Sequence, residues 1–523
     1  MQRFLALIAI LLIVGPCFSQ NSDYKINWSL LQKKDGGMFA VERFVGAADG
    51  KYYVVSRPNK SNIVKVFDFN HKLIKSVPIR SEINRKPIAV DEVIQTKSGN
   101  YGVGFITDRK TKSKQVYLFD FSDLKAINKP PRKLAGWTYG ASAGNIVSAL
   151  TIGASTNSDA SGINQSYDST KVLITGFAGA LKSAAKNKFN KYIINVFDEN
   201  LEPIWDRELK LPYSDSDLEI ENFQVSNSGS VIITGKHWVN ASERKKGEPK
   251  YDYVVFLVTQ KSMEEFNIEF DNAVPTDAVS YIDKDGKVYI GGMYTKRDVK
   301  YRGTHGTFLA CYTSALEPIF LSKFPLSKVI NESILSRRAQ RKDKGANNFP
   351  IKTLIVNHET GNFTMIAEET YRTYRTSTST SGSTRTTTYY HTNEIMVPTF
   401  DLKTGEQKNN ALIEKGFVSA SLYITSFTYG TSGGSVYLLF NDFKTKEERK
   451  DLGKQGKRTR YTDIVRINSE GQIKSSENLF TSKSIESEFM PKSSNFIGDG
   501  KILLIGFKGF KKVQYGLLDL DGK

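Results

Sequence analysis

The hydrophobic positions of the chain recur in one local pattern that appears eight times. Each copy has a turn rich in Gly, Asp, Asn or Ser, followed by a short, strongly apolar run with few charges. A glycine stands just before seven of the runs, as hairpin turns with positive φ require. The pattern therefore predicts eight strands that each follow a tight turn. The runs are 52–55, 101–105, 172–175, 231–234, 288–290, 363–367, 436–439 and 502–505, and the glycines are Gly50, Gly99, Gly229, Gly286, Gly361, Gly434 and Gly500.

A second apolar strand follows each run after a polar stretch, and a shorter outer strand often comes next, as at Pro203 and Pro318. This order is typical of a four-stranded antiparallel blade: strand, tight turn, apolar strand, long polar loop, strand, turn and outer strand. The last copy has no outer strand of its own, and residues 26–28 resemble one. We therefore expect the N-terminal segment to complete the last blade and close the ring.

Through these units the chain resembles secreted bacterial β-propeller repeat proteins. The resemblance is to an architecture, because the repeated Trp-Asp ending, the paired-glycine kelch pattern and the Ser-x-Asp-x-Gly-x-x-Trp box are all missing. It implies an all-β fold: an eight-bladed β-propeller of four-stranded antiparallel blades, closed by an N-terminal strand. Seven blades or two all-β domains are the alternatives. The lack of a Pro- or Gly-rich linker between the repeats favours one ring.

Residues 1–19 have the layout of a secretory signal peptide, with Arg3, an apolar run over 4–14 and a small-residue exit. We expect cleavage after Ser19 and a single propeller domain over 20–523. The product would be exported and periplasmic or extracellular, and attachment to the cell surface stays open. Lipidation of Cys17 is the alternative, which Pro16 disfavours. Once Cys17 is removed no intrachain disulfide can form, so core packing must hold the fold.

Composition and charge narrow the class of protein. A hydrophobic fraction of 39%, a charged fraction of 24% and a mean hydropathy of −0.37 are typical of a soluble globular protein. No later segment reaches the about 20 apolar residues of a membrane-spanning helix, so no integral span is expected. The formal net charge is +18, which favours anionic partners.

The basic residues concentrate in the loops between the second and third strands of the predicted blades. These eight loops together carry +21, seven of them are positive, and the rest of the chain is slightly acidic. Alternate loops of an antiparallel blade leave at the same end, so the eight loops share one face. Solubility alone would also explain lysines in long loops.

Tyrosines stand among the basic residues of this face. Cations beside aromatic rings suit acidic glycans, acidic protein loops and in principle nucleic acid. An exported protein meets envelope polymers first, so we expect an anionic glycan or an acidic protein of the cell envelope as partner and disfavour nucleic acid. The candidate binding residues are Lys300, Tyr301, Arg302, Arg372, Arg375, Lys444, Lys446, Arg458 and Arg460, with Tyr371, Tyr374, Tyr389, Tyr390 and Arg385 interleaved.

The sequence offers no compact catalytic, metal or cofactor motif, and no cofactor is predicted. His237, His305 and His391 fall in loops of three successive blades, so a three-histidine metal site is conceivable but is disfavoured against ordinary surface histidines. The segment at Asp283 fits a hairpin turn better than a calcium loop. Carboxylates from distant blades can converge on the central channel, which spacing along the chain does not reveal. Catalytic residues stay unassigned.

Two further segments are distinctive. Residues 376–388 are Ser or Thr except for Gly382 and Arg385, which predicts a mobile loop. Residues 328–341 predict one short amphipathic helix between the fifth and sixth blades.

The leading hypothesis is a non-enzymatic binding or assembly module that uses the basic face. The alternative is a propeller hydrolase or lyase acting on an acidic polysaccharide. Clustered buried carboxylates in the channel would favour the enzyme, whereas apolar side chains filling the channel would favour the module.

Overall fold

The fold is known from a computed structural model of the chain. It describes residues 24–34, 42–48, 50–56, 62–79, 82–83, 86–108, 110–121, 130–138, 162–178, 189–214, 216–239, 242, 249–297, 303–342, 344–346, 349–443, 459–509 and 511–522.

Nearly all regular structure in these residues is β-strand. The first strands along the chain are β1 (Lys25–Trp28), β2 (Gln32–Lys33), β3 (Glu42–Ala48), β4 (Lys51–Ser56), β5 (Asn62–Asp68), β6 (Leu73–Ile79), β7 (Glu82–Ile83), β8 (Lys86–Pro87), β9 (Ala89–Thr96), β10 (Gly99–Asp108), β11 (Ser113–Asp120), β12 (Arg132–Thr138), β13 (Ile163–Gln165), β14 (Lys171–Phe177), β15 (Phe189–Asp198), β16 (Pro203–Ser214), β17 (Leu218–Val225), β18 (Val231–Trp238), β19 (Tyr251–Val258) and β20 (Met263–Ile268).

The second half continues in the same way and includes two short helices. Its elements are β21 (Ala273–Ile282), β22 (Val288–Lys296), β23 (Gly306–Tyr312), β24 (Pro318–Pro325), α1 (Lys328–Ile334), α2 (Arg337–Arg341), β25 (Ile351–Asn357), β26 (Asn362–Thr378), β27 (Thr384–Asp401), β28 (Gln407–Ile413), β29 (Phe417–Ser419), β30 (Phe427–Ser432), β31 (Ser435–Asp442), β32 (Tyr461–Ile467), β33 (Ile473–Thr481), β34 (Glu488–Phe489), β35 (Asn495–Phe496), β36 (Lys501–Lys508) and β37 (Lys512–Asp519).

The described strands form eight antiparallel sheets, each with a path of four strands, and one small hairpin of β7 and β8. Seven sheets follow chain order: β3–β6, β9–β12, β13–β16, β17–β20, β21–β24, β25–β28 and β30–β33. We call them blades 1 to 7. The predicted eight-bladed β-propeller architecture is confirmed. Each apolar run identified in the sequence lies in the second strand of its blade, and all seven glycines before the runs have positive φ.

The eighth blade combines both ends of the chain. Its path is β34, β36, β37 and β1, with β35 paired to β36 and β2 paired to β37. Strand β1 pairs with β37 from Lys25 opposite Asp519 to Trp28 opposite Gly516. The prediction that residues 26–28 supply the missing outer strand is therefore confirmed.

The core is divided into clusters that join neighbouring blades in order around the molecule. Blade 1 shares one apolar cluster with blade 2, each later blade shares one with the next, and blade 8 shares one with blade 1. In the last of these, the ring centroid of Phe67 lies 5.1 Å from that of Tyr52 and 5.2 Å from that of Tyr515. The apolar contacts between blades therefore run from blade 1 through blade 8 and back to blade 1. The first strands of neighbouring blades contact one another, as β17 and β21 do, and are the inner strands.

The connection between blades 5 and 6 contains two helices instead of the predicted single one. Leu335 has extended backbone angles, and the Ser336 side chain accepts a hydrogen bond from the Ala339 N–H as the cap of a new helix. Ile330 is buried in the core between the two blades. In the described part of the chain, neither helix nor any other is long and apolar enough to cross a bilayer.

Candidate functional site

Among the described residues, the most extended element on the face formed by the second-to-third-strand loops is a hairpin of blade 6. Strands β26 and β27 have 17 and 18 residues and remain paired as far as Thr378 opposite Thr384. The first strand of the blade stops pairing with β26 at Ala367. We call residues 370–392 the blade 6 hairpin. At about 3.3 Å per residue, the nine residues of its outgoing strand project roughly 30 Å.

The prediction of a loop over residues 376–388 is wrong, because residues 376–378 and 384–388 continue the paired strands up to the turn at 379–383. Its threonines are β-branched and favour extended backbone. The pairing also satisfies the backbone hydrogen-bonding groups that face the partner strand, without any core. At the tip, Gly382 has φ of +77°, a conformation that glycine adopts without strain.

The predicted mixture of arginine and tyrosine is arranged in pairs across the hairpin. The guanidinium of Arg372 lies 5.4 Å from the ring centroid of Tyr390, and that of Arg375 lies 5.6 Å from Tyr389. Strand alternation puts these pairs on opposite faces of the hairpin. Arg372, Arg375 and Arg385 are all exposed. Both faces therefore present cations and rings together.

The three glutamates of the same second-to-third-strand segment lie at the base of the hairpin. Glu368 is fully buried, where it binds the Lys415 ammonium and accepts a hydrogen bond of 2.6 Å from the Ser426 hydroxyl. Glu369 accepts a hydrogen bond from the side-chain amide of Asn393. The segment is neutral by count, but its projecting part, residues 370–392, contains three arginines and no carboxylate.

The only histidine of the hairpin contributes a ring and not a charge at neutral pH. His391 stacks on Tyr371 with 4.3 Å between centroids, and its Nε2 lies 2.8 Å from the Thr373 hydroxyl. Burial lowers the pKa of His391, although Glu369 opposes this effect. The positive charge of the hairpin therefore comes from its arginines.

A second group of charged residues lies on and beside the inner strands of blades 4 to 6. The Lys236 ammonium binds the Glu221 carboxylate and donates a hydrogen bond of 2.6 Å to the Thr276 carbonyl oxygen. The next residue, Asp277, accepts a hydrogen bond of 2.6 Å from the Ile351 N–H. We call Glu221, Lys236, Asp277 and Lys352 the inner-strand cluster.

Burial and mutual charge shift the protonation of this cluster. Burial and the Glu221 charge raise the pKa of Asp277 to about 7, in spite of Lys236. Burial also lowers the pKa of Lys352, with Lys492 acting in the same direction and Glu368 opposing it. For Lys236, burial disfavours the ammonium, but Glu221 and Tyr251 outweigh it and the pKa is raised. Such convergent shifts are typical of functional sites and also of structural ion networks.

The sequence analysis did not single out these four residues. Asp277 is the one charge in its strand, whereas Glu221 shares the strand of another blade with Glu219, and the proximity of Glu221 and Asp277 depends on how the blades pack. The available signal was a carboxylate at a position that the strand pattern assigns to the interior.

Six of the predicted binding residues lie outside the described residues, namely Lys300, Tyr301, Arg302, Lys444, Lys446 and Arg458. Their roles stay predictions. Of the remaining three, Arg372 and Arg375 lie together on the blade 6 hairpin. Arg460 lies apart from them, directly before the third strand of blade 7, in an ion pair with Glu488 of blade 8.

The three histidines considered as metal ligands each have an aromatic or hydrogen-bonding neighbour. His237 stacks on Tyr213 at 3.7 Å between centroids, the His305 Nδ1 lies 3.1 Å from the Thr295 hydroxyl, and His391 stacks on Tyr371. Across the described ranges, no group of three or more His, Cys, Asp or Glu side chains has the arrangement of a metal site.

Comparison with known proteins gives neither a family nor a function. No protein-family model matches the chain, and no curated protein matches it. Among similar solved structures, the WD40 domain of SCAP from fission yeast has 9% identity and a TM-score of 0.39, covering 96% of this chain and 98% of that one. The β-propeller domain of the Trilobed protease from Pyrococcus furiosus has 12% identity and a TM-score of 0.37, covering 86% and 98%. The polysaccharide lyase Uly1 has 11% identity and a TM-score of 0.34, covering 93% and 90%.

Proposed function

We propose that the protein is an exported binding module that holds an anionic glycan of the cell envelope. The blade 6 hairpin is the main contact. The observation that carries this proposal is the combination, on one projecting element, of three exposed arginines, four tyrosines and no carboxylate.

The chemistry of the hairpin suits a flexible acidic polymer. Guanidinium groups bind carboxylate and sulfate oxygens through paired N–H donors. Exposed tyrosine rings offer flat apolar surface beside them, and the exposed fractions are 46% for Tyr371 and 66% for Tyr374. Hydroxyls of the many Ser and Thr residues add donors and acceptors for sugar hydroxyls.

The other second-to-third-strand loops support the same proposal. They leave the blades at the same end as the hairpin, and seven of the eight segments carry net positive charge in the sequence. A polymer held by the hairpin would therefore meet further cations on the face, which raises the rate of association as well as the affinity.

Binding measurements with two matched variants test this function. In the hairpin variant, Arg372, Arg375 and Arg385 are all changed to Gln. In the control, Lys72, Lys261 and Lys403 are changed to Gln, because these exposed lysines lie in turns between third and fourth strands, at the opposite end of the blades. We expect the wild-type protein and the control to bind polygalacturonate equally, and the hairpin variant to bind at least about tenfold more weakly.

Three further binding measurements use added salt, neutral dextran and polyglutamate. Binding to polygalacturonate should weaken steeply with added chloride, because exposed charges are screened over about 10 Å at 0.1 M salt, and dextran should not bind. Equal binding by the two variants, or wild-type binding that is indifferent to salt, would contradict the proposal. Binding to polyglutamate but not to polygalacturonate would replace the glycan with an acidic protein partner.

A second candidate is a hydrolase or lyase acting on an acidic polysaccharide. The observation that favours it is the inner-strand cluster, where a carboxyl with a pKa of about 7 lies beside a carboxylate and two lysines. Acid–base catalysis near neutral pH uses groups of this kind. Chain shortening of polygalacturonate by the wild-type protein, lost in Asp277→Asn, would support the enzyme. An unchanged polymer after prolonged incubation would exclude this substrate.

A further inference from the structure

A pocket lies between blades 7 and 8 at the end of the blades from which the hairpin projects. Its volume is about 300 Å³, at the lower end of the range for small-ligand sites. It is lined by Thr459, Arg460, Ser482, Lys483, Glu486, Ser487, Glu488, Phe507, Lys508 and Gly509.

Two ion pairs hold four of the five charged side chains of the lining in place. An Arg460 Nη1 donates to Glu488 Oε1 at 2.5 Å, and the Lys508 ammonium lies 3.0 Å from Glu486 Oε2. The Arg460 backbone is also fixed, because its N–H donates to the Ser482 hydroxyl and its carbonyl oxygen accepts from the Ser482 N–H. Arg460, with a side chain 16% exposed, is thereby positioned before any ligand arrives.

Cationic donors remain available after these pairs are made. Lys483 is exposed and forms no ion pair with the described residues. A guanidinium has five N–H donors, and the ion pair with Glu488 occupies one of those of Arg460. A carboxylate placed between Arg460 and Lys483 would therefore find two cations.

The same lining offers acceptors and an apolar surface. The ion pairs use one oxygen each of Glu486 and Glu488, so the second oxygen of each carboxylate can accept a hydrogen bond from a hydroxyl group. Phe507 forms part of the wall, and the Lys34 ammonium lies over its ring at 5.1 Å from the centroid. A ligand that carries one carboxylate, several hydroxyls and an apolar face satisfies all three parts of the lining.

We propose that this pocket binds one uronate unit, a sugar ring with a carboxylate, of the anionic polymer that the blade 6 hairpin holds. The inference rests on the proposed function, since it names the sugar class and adds a second contact. The two carboxylates of the lining repel inorganic phosphate and sulfate, which concentrate more negative charge than a uronate and offer fewer hydroxyl donors than a sugar ring to bind Glu486 and Glu488. The pocket thus selects a sugar acid, whereas the hairpin attracts any polyanion.

Titration calorimetry with short oligosaccharides tests the pocket separately from the hairpin. The probes are tetramers of galacturonate, mannuronate and glucuronate, together with a neutral galactose tetramer, glycylglycine and inorganic phosphate. The pocket variant changes Arg460 and Lys483 to Gln. Its control changes Lys261 and Lys474 to Gln, because both are exposed lysines away from the pocket.

We expect at least one uronate tetramer to bind the wild-type protein and the control equally, and to bind the pocket variant about tenfold more weakly, as loss of a charged hydrogen bond predicts. The hairpin variant should bind the tetramer nearly as the wild type does. Phosphate, glycylglycine and the neutral tetramer should not bind.

These measurements distinguish failure of the pocket proposal from failure of the proposed function. If polygalacturonate binding depends on the hairpin but no uronate tetramer binds, or the pocket variant binds it unchanged, the pocket proposal is overturned and the function stands. Binding of glycylglycine or phosphate in the pocket would also overturn the sugar assignment. If the tetramer binds in the pocket but the hairpin variant still holds the polymer, the hairpin proposal fails instead.

Discussion

At the scale of single residues, Asp277 links the acid–base balance of the inner-strand cluster to the packing of blades 5 and 6. Its pKa is raised from 3.8 to about 7, first by burial and then by Glu221. The folded protein therefore holds this proton more tightly than the unfolded chain. The resulting stability is fully present below about pH 4 and is lost as the pH rises through about 7.

Asp277→Asn should remove this pH dependence, because the amide oxygen can still accept from the Ile351 N–H but has no charge to bury. We expect the free energy of unfolding of the wild-type protein, measured in urea, to fall relative to that of the variant by on the order of 1 kcal/mol per pH unit between about pH 4 and pH 7. Parallel stability curves for the two proteins would show that Asp277 is not protonated in the folded state.

The buried ion pair of Glu368 and Lys415 gives a second test at this scale. Both side chains have 0% exposure, and the lysine also donates to the Thr392 hydroxyl and the Ser426 carbonyl oxygen. Lys415→Met leaves a buried carboxylate without its cation and should cost about 3–5 kcal/mol of unfolding free energy. The double variant Lys415→Met/Glu368→Gln should be more stable than the single one. A single variant as stable as the wild type would contradict this assignment.

At the scale of elements, the blade 6 hairpin allows its register to be measured directly. The hydroxyls of Thr376 and Thr386 lie 3.2 Å apart on directly opposite residues, and opposite Cβ atoms in a hairpin are close enough for a disulfide. Thr376→Cys/Thr386→Cys should form this bond on mild oxidation, seen by mass spectrometry after proteolysis. Thr376→Cys/Thr388→Cys, a diagonal pair, should form it far less. Equal yields would mean that the hairpin is not held in one register.

The elements that could be predicted from the sequence are those in which the side chains that face the core form a regular pattern along the strand. The apolar runs and their glycines define the second strands because burial and turn geometry leave a local pattern. The sequence predicted a loop at residues 376–388 because Ser and Thr have little apolar surface to pack, whereas strand pairing continues through most of these residues. The break at Ser336 depends on one capping hydrogen bond. The inner-strand cluster depends on contacts between blades, which no local pattern records.

At the scale of the whole molecule, the outer strand of blade 8 determines whether the sheet has an open edge. Beyond the β1–β37 pairing, the Ser29 N–H donates to the Tyr515 carbonyl oxygen, and the Trp28 ring packs edge-on against Phe480 at 5.3 Å between centroids. Removing residues 24–34 should leave the outer edge of β37 unpaired and lower the melting temperature. Unpaired strand edges promote association, so the shortened protein should aggregate in size-exclusion chromatography. A shortened protein that stays monomeric and melts unchanged would contradict closure by β1.

The pairing of Lys25 with Asp519 also sets the order in which the fold can be completed. Blades 1 to 7 each pair strands that are close in sequence, so each blade can form without bringing distant parts of the chain together. Strand β1 must instead pair with β37, at the other end of the described chain. Closing so long a loop is entropically costly, so we expect this pairing to be the last one to form.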